Sequence, residues 1–223
     1  MNVKKSIKKT IRSLPKSMIK EHLKLIWYNI LADRRIKYKF FQKEGLNVIY
    51  ETIYEDLTFF TNEPLYAITP DLDHYQHFYK VKQGDIVIDG DANVGILGML
   101  FSKKVGDNGF VYCFEPDRYN VDELNSNSIL NTHLDNYSVH KELLWREAAL
   151  VGFQEAGPVA SSVEGCRAII EKYRPNFAIA SHHFVDGKPT YLKLEEFFRQ
   201  LNYPYITKRF GCYEIINLAG PSL

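Results

Sequence analysis

The sequence lacks the features by which several classes of protein are recognised. Its three cysteines, Cys113, Cys166 and Cys212, are widely spaced and form no C-x-x-C pair, which argues against a disulfide framework and a zinc site. No apolar run approaches the length needed to cross a bilayer, and the charged start has no apolar centre of the signal-peptide kind. We therefore expect a cytoplasmic protein with reduced thiols.

Net charge is nearly absent as well, at +1 over 223 residues, but this balance hides an asymmetry. Residues 1–44 hold thirteen lysines and arginines against three acidic residues, whereas the remainder holds fifteen against twenty-four. A basic arm on an acidic body favours contact with a polyanion, either a membrane surface or a nucleic acid.

The basic arm has the apolar spacing of amphipathic helices. The first set at helical intervals is Ile7, Ile11, Leu14 and Met18, and a second set follows it. Lysines on one side, with Trp27 near the other, suit peripheral attachment to the anionic inner face of a membrane. The equal alternative is a solvated helix that packs its apolar stripe on the body. Nucleic acid is the weaker candidate, because the basic residues alternate with a long apolar stripe.

Beyond the arm, the pattern predicts a different kind of structure. Residues 46–69 are β-branched and aromatic, which predicts a hairpin or short strands. From "DIVID" onward, short apolar strands alternate with helical patterns until two closing strands near "YITKRF" and "CYEIINL". This alternation predicts an α/β fold with a doubly wound, mostly parallel sheet. We therefore expect a basic helical extension over residues 1–44 and an α/β domain over residues 45–223.

Two polar strand ends within that domain predict a nucleotide-like ligand. The strand "DIVID" ends at Asp89 and leads through a tight loop to Gly95, where a helix begins and offers free N–H groups. The next strand ends in "FEP", which places Glu115 at the same edge of the sheet. A carboxylate at that position can accept both hydroxyls of a ribose.

Three segments, "GDIVIDGDANVG", "VGDNGFVYCFEPD" and "EGCRAIIEKYRPNFAIASHH", resemble the FkbM-type methyltransferases, and the resemblance runs from about residue 64 to the C-terminus. The first family motif reads Asp-x-Gly-Ala-Asn-x-Gly. This chain matches it at Asp89, Ala92, Asn93 and Gly95. The resemblance implies a class I methyltransferase fold, S-adenosylmethionine as the cofactor, and methyl transfer to an oxygen, often a sugar hydroxyl. It implies cofactor contacts from the motif residues and from Glu115.

The chain departs from the motif at Asp91, which stands where the family has its first glycine. A side chain there projects toward the cofactor, and a positive φ would add backbone strain of about 1–3 kcal/mol. The effect of the charge depends on which group of the cofactor Asp91 meets. We expect weakened cofactor binding.

A missing strand is the second departure. The family has a further strand, ending in an acidic motif, before the helix that contains Cys166, whereas this chain runs from "GPVASSV" directly into "EGCRAII". In the family that strand lies between the equivalents of "DIVID" and "NFAIAS". If that strand position were left empty, buried backbone N–H and C=O groups of both neighbouring strands would have no partner, which would cost about 1–3 kcal/mol of stability for each group. We therefore expect a sheet one strand short, in which "NFAIAS" pairs directly with "DIVID" and a helix over residues 164–174 connects them.

That pairing would bring two histidines to the cofactor loop. His183 matches a histidine position of the family, and His182 is its neighbour. Either could take the proton from an acceptor hydroxyl, because histidine titrates near neutral pH. The alternative for both is a surface or packing role. His74 and His77 have helical spacing, which favours a polar helix face.

Two functions fit these residues. The first is an active O-methyltransferase for a small-molecule or glycan acceptor, in which catalysis is mainly the alignment of the methyl group with the acceptor oxygen. The second is a methyltransferase-like binding module that has lost turnover and is held at a membrane by its basic arm. Retention of Asn93, Gly95 and Glu115 favours the first function. Asp91 and the missing strand favour the second.

Overall fold

The computed structural model describes residues 3–44, 47–55, 57–64, 73–142, 166–182, 184–185, 187–211 and 214–223. The helices are α1 (Val3–Ser13), α2 (Met18–Leu31), α3 (Ile96–Val105), α4 (Arg118–Leu130), α5 (Arg167–Tyr173) and α6 (Thr190–Gln200). The strands are β1 (Ile36–Glu44), β2 (Asn47–Tyr54), β3 (Leu57–Thr61), β4 (Ile86–Gly90), β5 (Phe110–Phe114), β6 (Tyr137–His140), β7 (Phe177–Ala180), β8 (Phe184–Val185), β9 (Lys188–Pro189), β10 (Tyr205–Phe210) and β11 (Glu214–Ala219). Across these ranges, no helix is both long enough and apolar enough to span a bilayer.

The basic arm forms two helices and then a strand. The chain breaks between α1 and α2 around Pro15, and Ser17 caps α2 by accepting a hydrogen bond from the Lys20 N–H. Residues 36–44 are β1, which pairs antiparallel with β2, so the expectation of a helical extension up to residue 44 is wrong. Burial alternates along this segment with a period of two residues, because Ile36 and Tyr38 are buried while Lys37 between them is exposed. That period is typical of a strand and not of a helix.

The first sheet, β1-β2-β3, is an antiparallel meander, as predicted for the hairpin after residue 46. Alternate side chains of β2 and β3 are buried. They pack with α2, α3 and α4 in one core cluster, which includes Tyr54, Phe59, Leu100, Phe101 and Leu124. The meander is therefore part of the same core that supports the central strands.

The central sheet, β4-β5-β6, is parallel, as predicted from the alternation of strands and helices. Val111 and Cys113 of β5 are completely buried on the face that carries α3 and α4. On the opposite face of β4, Ile86 and Ile88 are exposed. This half of the sheet is therefore covered on one face over the residues described.

The third sheet has the order β10-β11-β7, with antiparallel pairing throughout. The turn between β10 and β11 is too short for a crossover, which forces the closing pair to be antiparallel. Parallel pairing is thus confined to β4-β5-β6 in the described part of the chain, and the expectation of a mostly parallel sheet is correct for that half alone. A second core cluster, centred on Leu194 and Phe198 of α6, supports this sheet.

The expected pairing of "NFAIAS" with "DIVID" is wrong. Among the described residues, β7 forms its ladder with β11, and β4 forms its ladder with β5. β4 is an edge strand of one three-stranded sheet, and β7 is an edge strand of the other. By the resemblance, these two strands correspond to the ones between which the FkbM-type proteins have their additional strand. Each half is fixed by its own core cluster. The sequence argument weighed the cost of unpaired backbone groups and left out these packing constraints.

A buried asparagine joins the first sheet to α4. Asn131 has no exposed surface, and its Oδ1 accepts from the Phe60 N–H at 2.8 Å. Its Nδ2 donates to the carbonyls of Phe60 at 2.6 Å and Asn127 at 2.7 Å. Because one side chain satisfies three backbone groups, its removal leaves several of them without partners.

We expect Asn131→Ala to lower the free energy of unfolding by about 2–3 kcal/mol, because backbone groups of Phe60 and Asn127 lose their partner. Urea denaturation followed by circular dichroism measures this change. Asn125→Ala, at an exposed position of the same helix, is the matched control and should change stability by less than about 0.5 kcal/mol. Equal losses in the two variants would contradict the role of Asn131.

Candidate functional site

The ends of β4 and β5 lie side by side at one edge of the central sheet. The parallel register sets Asp89 opposite Cys113 and Gly90 opposite Phe114, so Glu115 follows directly at the neighbouring strand end. This is the juxtaposition that the sequence predicted for the two carboxylates. Parallel α/β sheets bind their ligands at such carboxyl ends.

The loop after β4 is tied to the end of β5 through its backbone. The N–H groups of Asp91 and Ala92 both donate to the Phe114 carbonyl at 3.0 Å. The Asn93 N–H donates to Glu115 Oε2 at 2.7 Å. The loop conformation is therefore set by β5 as well as by its own sequence.

Three residues of this loop have left-handed backbone conformations. The φ angles are +69° at Asp91, +52° at Asn93 and +83° at Gly95. At Gly95 the conformation is matched by close packing, because an added Cβ would lie 2.7 Å from Leu124 Cγ. At Asp91 the positive φ strains the backbone, because a residue with a Cβ rarely adopts it, at a cost of about 1–3 kcal/mol. This is the strain expected from the sequence if the glycine of the motif had a positive φ.

Asp89 is a buried carboxylate without a full set of partners. Its Oδ2 is inaccessible to solvent and has no hydrogen-bond partner. Burial raises the pKa of the Asp89 carboxyl to about 7, the negative charges of Asp91 and Glu115 add to the rise, and a hydrogen bond from the Gly98 N–H opposes it. A cation placed beside Oδ2 would reverse this shift.

Glu115 is completely buried and organises the start of α4. Its Oε1 accepts from the Asp117 N–H at 2.8 Å and from Asn120 Nδ2 at 3.3 Å. Its Oε2 faces the loop after β4 through Asn93. Partial burial raises the pKa of Asp91, and so do the charge of Glu115 and a hydrogen bond between the two carboxyl groups.

Gly98 allows α3 to approach β5 closely. A Cβ at this position would lie 2.4 Å from Cys113 Sγ and 3.7 Å from Asp89 Oδ2. The sequence analysis did not single out Gly98, although glycine in the first turn of a helix after such a loop is the signal that marks this contact.

Of the two histidines predicted as catalytic, His182 follows a strand that does not pair with β4 among the described residues. His182 is exposed and follows Ser181, whose N–H donates to the Ile215 carbonyl on β11. The strand pairing that would have carried His182 to the loop is not formed. His183 lies outside the described residues.

A histidine that the sequence analysis assigned to a polar helix face has a carboxylate partner. His74 Nδ1 is hydrogen-bonded to Glu214 Oε2, and its ring stacks on Phe210 at 4.2 Å between centroids. The ring of His77 also contacts Phe210. Glu214 begins β11, next to the residues that follow β7. No local sequence signal could have revealed a pair separated by 140 positions.

The described residues contain no group of three or more His, Cys, Asp or Glu side chains arranged to hold a metal ion. The cluster of Asp89, Asp91 and Glu115 is thus a group of mutually repelling carboxylates, two of which share a hydrogen bond.

The sequence matches no protein-family model and no curated protein. Among solved structures, the methyltransferase FkbM from Methylobacillus flagellatus KT is similar, with a TM-score of 0.53 and 15% identity over 64% of this chain and 45% of that chain. The chain has a class I methyltransferase fold. A SAM-dependent methyltransferase from Aquifex aeolicus has a TM-score of 0.46 and 15% identity, over 68% of this chain and 92% of that chain. Aeropyrum pernix fibrillarin, solved with S-adenosylmethionine bound, has a TM-score of 0.47 and 14% identity, over 77% of this chain and 93% of that chain.

We expect the buried Asp89 to make stability fall as pH rises from about 4 to about 7, because the folded state there holds a proton that the unfolded chain has lost. Asp89→Asn should flatten this slope and exceed the parent in stability at pH 8, by at most about 4 kcal/mol. Urea denaturation across this pH range measures both effects.

Asp107→Asn, at an exposed loop position after α3, is the control for loss of a carboxylate and should keep the parental slope. A parental slope in Asp89→Asn would show that Asp89 is ionised in the folded protein.

Proposed function

We propose that this protein binds S-adenosylmethionine at the adjoining ends of β4 and β5 and acts as a cytoplasmic, FkbM-like O-methyltransferase. The proposed acceptor is a hydroxyl of a small molecule or glycan, following the resemblance of "DGDANVG" to the family motif. The observation that carries the proposal is the buried, unpartnered Oδ2 of Asp89 beside a glycine-bounded loop at the start of α3.

The residues at this site fit the cationic part of the cofactor. S-adenosylmethionine carries an ammonium group and a sulfonium group, and a buried carboxylate oxygen without a partner is stabilised by a cation. Gly95 supports the fit, because a residue with a side chain at its position would collide with Leu124 and displace the loop. The free N–H groups at the start of α3 suit the carboxylate of the same molecule.

Asp91 opposes the fit. Its carboxyl group is hydrogen-bonded to Glu115, the residue proposed to accept the ribose hydroxyls. Asp91 therefore takes a position that a ligand hydroxyl would use, and it does so from a strained backbone conformation. We infer that binding requires the Asp91 side chain to leave Glu115, which weakens affinity.

When bound, S-adenosylmethionine supplies a methyl group on a positively charged sulfur. The chain would hold the acceptor oxygen in line with the methyl carbon and the sulfur. A side chain would accept the proton that the acceptor hydroxyl loses. His182 and His183 are proposed for the proton, and His74 is a third candidate. The Glu214 carboxylate fixes the orientation of the His74 ring and the position of its proton, as a general base requires.

A binding module without turnover is the second candidate function. It is favoured by the strand pairing of the described residues: β4, which leads into the cofactor loop, does not pair with β7, which precedes His182, or with β11, which begins at Glu214. Methyl transfer depends on close alignment of these groups, and a displacement of about 1 Å can cost a hundredfold in rate. Binding of the cofactor needs the β4-β5 half alone.

Isothermal titration with S-adenosylmethionine tests the site. We expect Asp91→Gly to bind about 5-fold to 100-fold more tightly than the parent, because it removes about 1–3 kcal/mol of strain and frees Glu115. Glu115→Gln in the Asp91→Gly background should lose most of that gain, because Gln cannot accept from two hydroxyls and keep its contact with Asp117.

The matched control is Glu55→Gly, which replaces another acidic residue with positive φ, +54°, in the turn between β2 and β3. It should leave affinity unchanged. Equal affinity of the parent and Asp91→Gly would contradict the proposed obstruction, and absence of binding by both would contradict the cofactor assignment. Release of S-adenosylhomocysteine with glycan acceptors separates the enzyme from the binding module.

A further inference from the structure

Helix α2 has one face fixed to the body of the protein. Glu21 is buried and hydrogen-bonded to the hydroxyl of Tyr50 on β2. Lys24 Nζ bridges Glu21 at 2.8 Å and Glu63 at 2.9 Å. Tyr28 packs against the main core cluster. These contacts fix the rotation of α2 about its own axis.

The opposite face of α2 is an exposed apolar stripe. Its members are Ile19, Leu23, Ile26 and Ile30, with exposed fractions of 73%, 40%, 56% and 69%. Spacings of four, three and four residues place all four on one side of the helix. The alternative from the sequence was that the helix packs its apolar stripe on the body. In α2, Leu25 and Tyr28 pack on the body, whereas these four residues stay exposed. Contiguous exposed apolar surface of this kind marks an interaction site.

A cavity of about 330 Å³ is lined by residues of both α1 and α2. It is lined by Ile11, Arg12, Lys20, Lys24, Trp27, Tyr28 and Glu63. Glu21 and Glu63 compensate the charge of Lys24. Lys20 donates to the carbonyls of Arg12 and Leu14, which holds the end of α1 against α2. Arg12 and Lys20 add two further positive charges to the cavity lining, and the charge of Lys20 also acts on Glu21.

Trp27 adds a second observation that points to a ligand. Its Nε1 is inaccessible to solvent and has no hydrogen-bond partner, and other atoms of the same residue line the cavity. Buried donors are normally paired, and a buried unpaired donor costs about 1–3 kcal/mol. An acceptor within the cavity would satisfy it. The positive charges of Arg12 and Lys20 favour an anionic acceptor.

We propose that α1 and α2 form an interfacial anchor for an anionic lipid bilayer, with the α2 stripe in the acyl boundary and a lipid phosphate in the α1–α2 cavity. The excess of thirteen basic over three acidic residues in positions 1–44 provides the charge complementarity. The apolar stripe suits the acyl part of a phospholipid, and the basic side chains of the cavity suit its phosphate. This anchor is independent of the proposed cofactor site.

Co-sedimentation of the full chain with phospholipid vesicles tests the anchor. We expect binding to vesicles that contain about one third phosphatidylserine in phosphatidylcholine, and much weaker binding to phosphatidylcholine alone. Ile26→Glu and the uncharged Ile26→Ser should each weaken binding about tenfold or more, because a buried isoleucine contributes about 1.5–3 kcal/mol.

The matched control is Ile129→Glu, on α4, where the isoleucine is 75% exposed and distant in sequence from the stripe. It should leave binding unchanged. Trp27→Phe keeps the ring and removes the N–H donor, and it should weaken binding to anionic vesicles about threefold to tenfold without affecting neutral ones. Asp91→Gly should have no effect, which separates this test from that of the cofactor site.

The proposal is overturned if anionic vesicles do not bind, or if Ile129→Glu reduces binding as much as Ile26→Glu. Unchanged binding by Trp27→Phe would overturn the phosphate site within the cavity. Salt-sensitive binding of duplex DNA or RNA without binding of vesicles would assign the basic arm to nucleic acid instead.

Discussion

The buried carboxylate of Glu115 is the contact on which the candidate site depends. Through Asn93 it fixes the loop after β4, and through Asp117 and Asn120 it fixes the start of α4. The same residue thus sets the spacing between the cofactor loop and the second helix of the central sheet. Three of its roughly four acceptor positions are used within the protein, so a ligand at Glu115 competes with Asp91 for what remains.

This constraint explains why Asp91 matters beyond its own strain. A glycine at that position would leave Glu115 facing the ligand space, whereas Asp91 adds a third carboxylate to a site that already holds two. Burial first, and then the charges of Asp91 and Glu115, raise the pKa of Asp89 to about 7. Near neutral pH, the charge of the site, and with it the attraction for a cationic ligand, therefore varies with small changes in pH.

The sequence predicted those elements whose pattern is local. The strand at "DIVID", the helix after Gly95 and the strand before Glu115 all follow from apolar runs and glycine positions. It missed β1, because the lysines that alternate with Ile36 and Tyr38 were attributed to a basic arm, although their two-residue period indicates a strand. It could not reveal the contact between His74 and Glu214, or the failure of β4 to pair with β7, because both depend on packing between distant segments.

Among the described residues, the strand that leads into the cofactor loop and the strands near the proposed catalytic groups belong to different sheets. The central half-sheet holds Asp89 and Glu115, and it is stabilised by a core that it shares with β1-β2-β3 and α2. The other half-sheet holds Glu214 and the residues after β7, with a core of its own. Correct alignment of the reacting groups can lower the activation barrier of a reaction by about 7–11 kcal/mol. The affinity of the central half-sheet for a ligand does not depend on that alignment. A loss of contact between the halves would therefore remove turnover and leave ligand recognition intact. Because α2 packs on the first half, a membrane anchor at the N-terminus would hold the ligand-binding half at the surface whether or not the protein is an active enzyme.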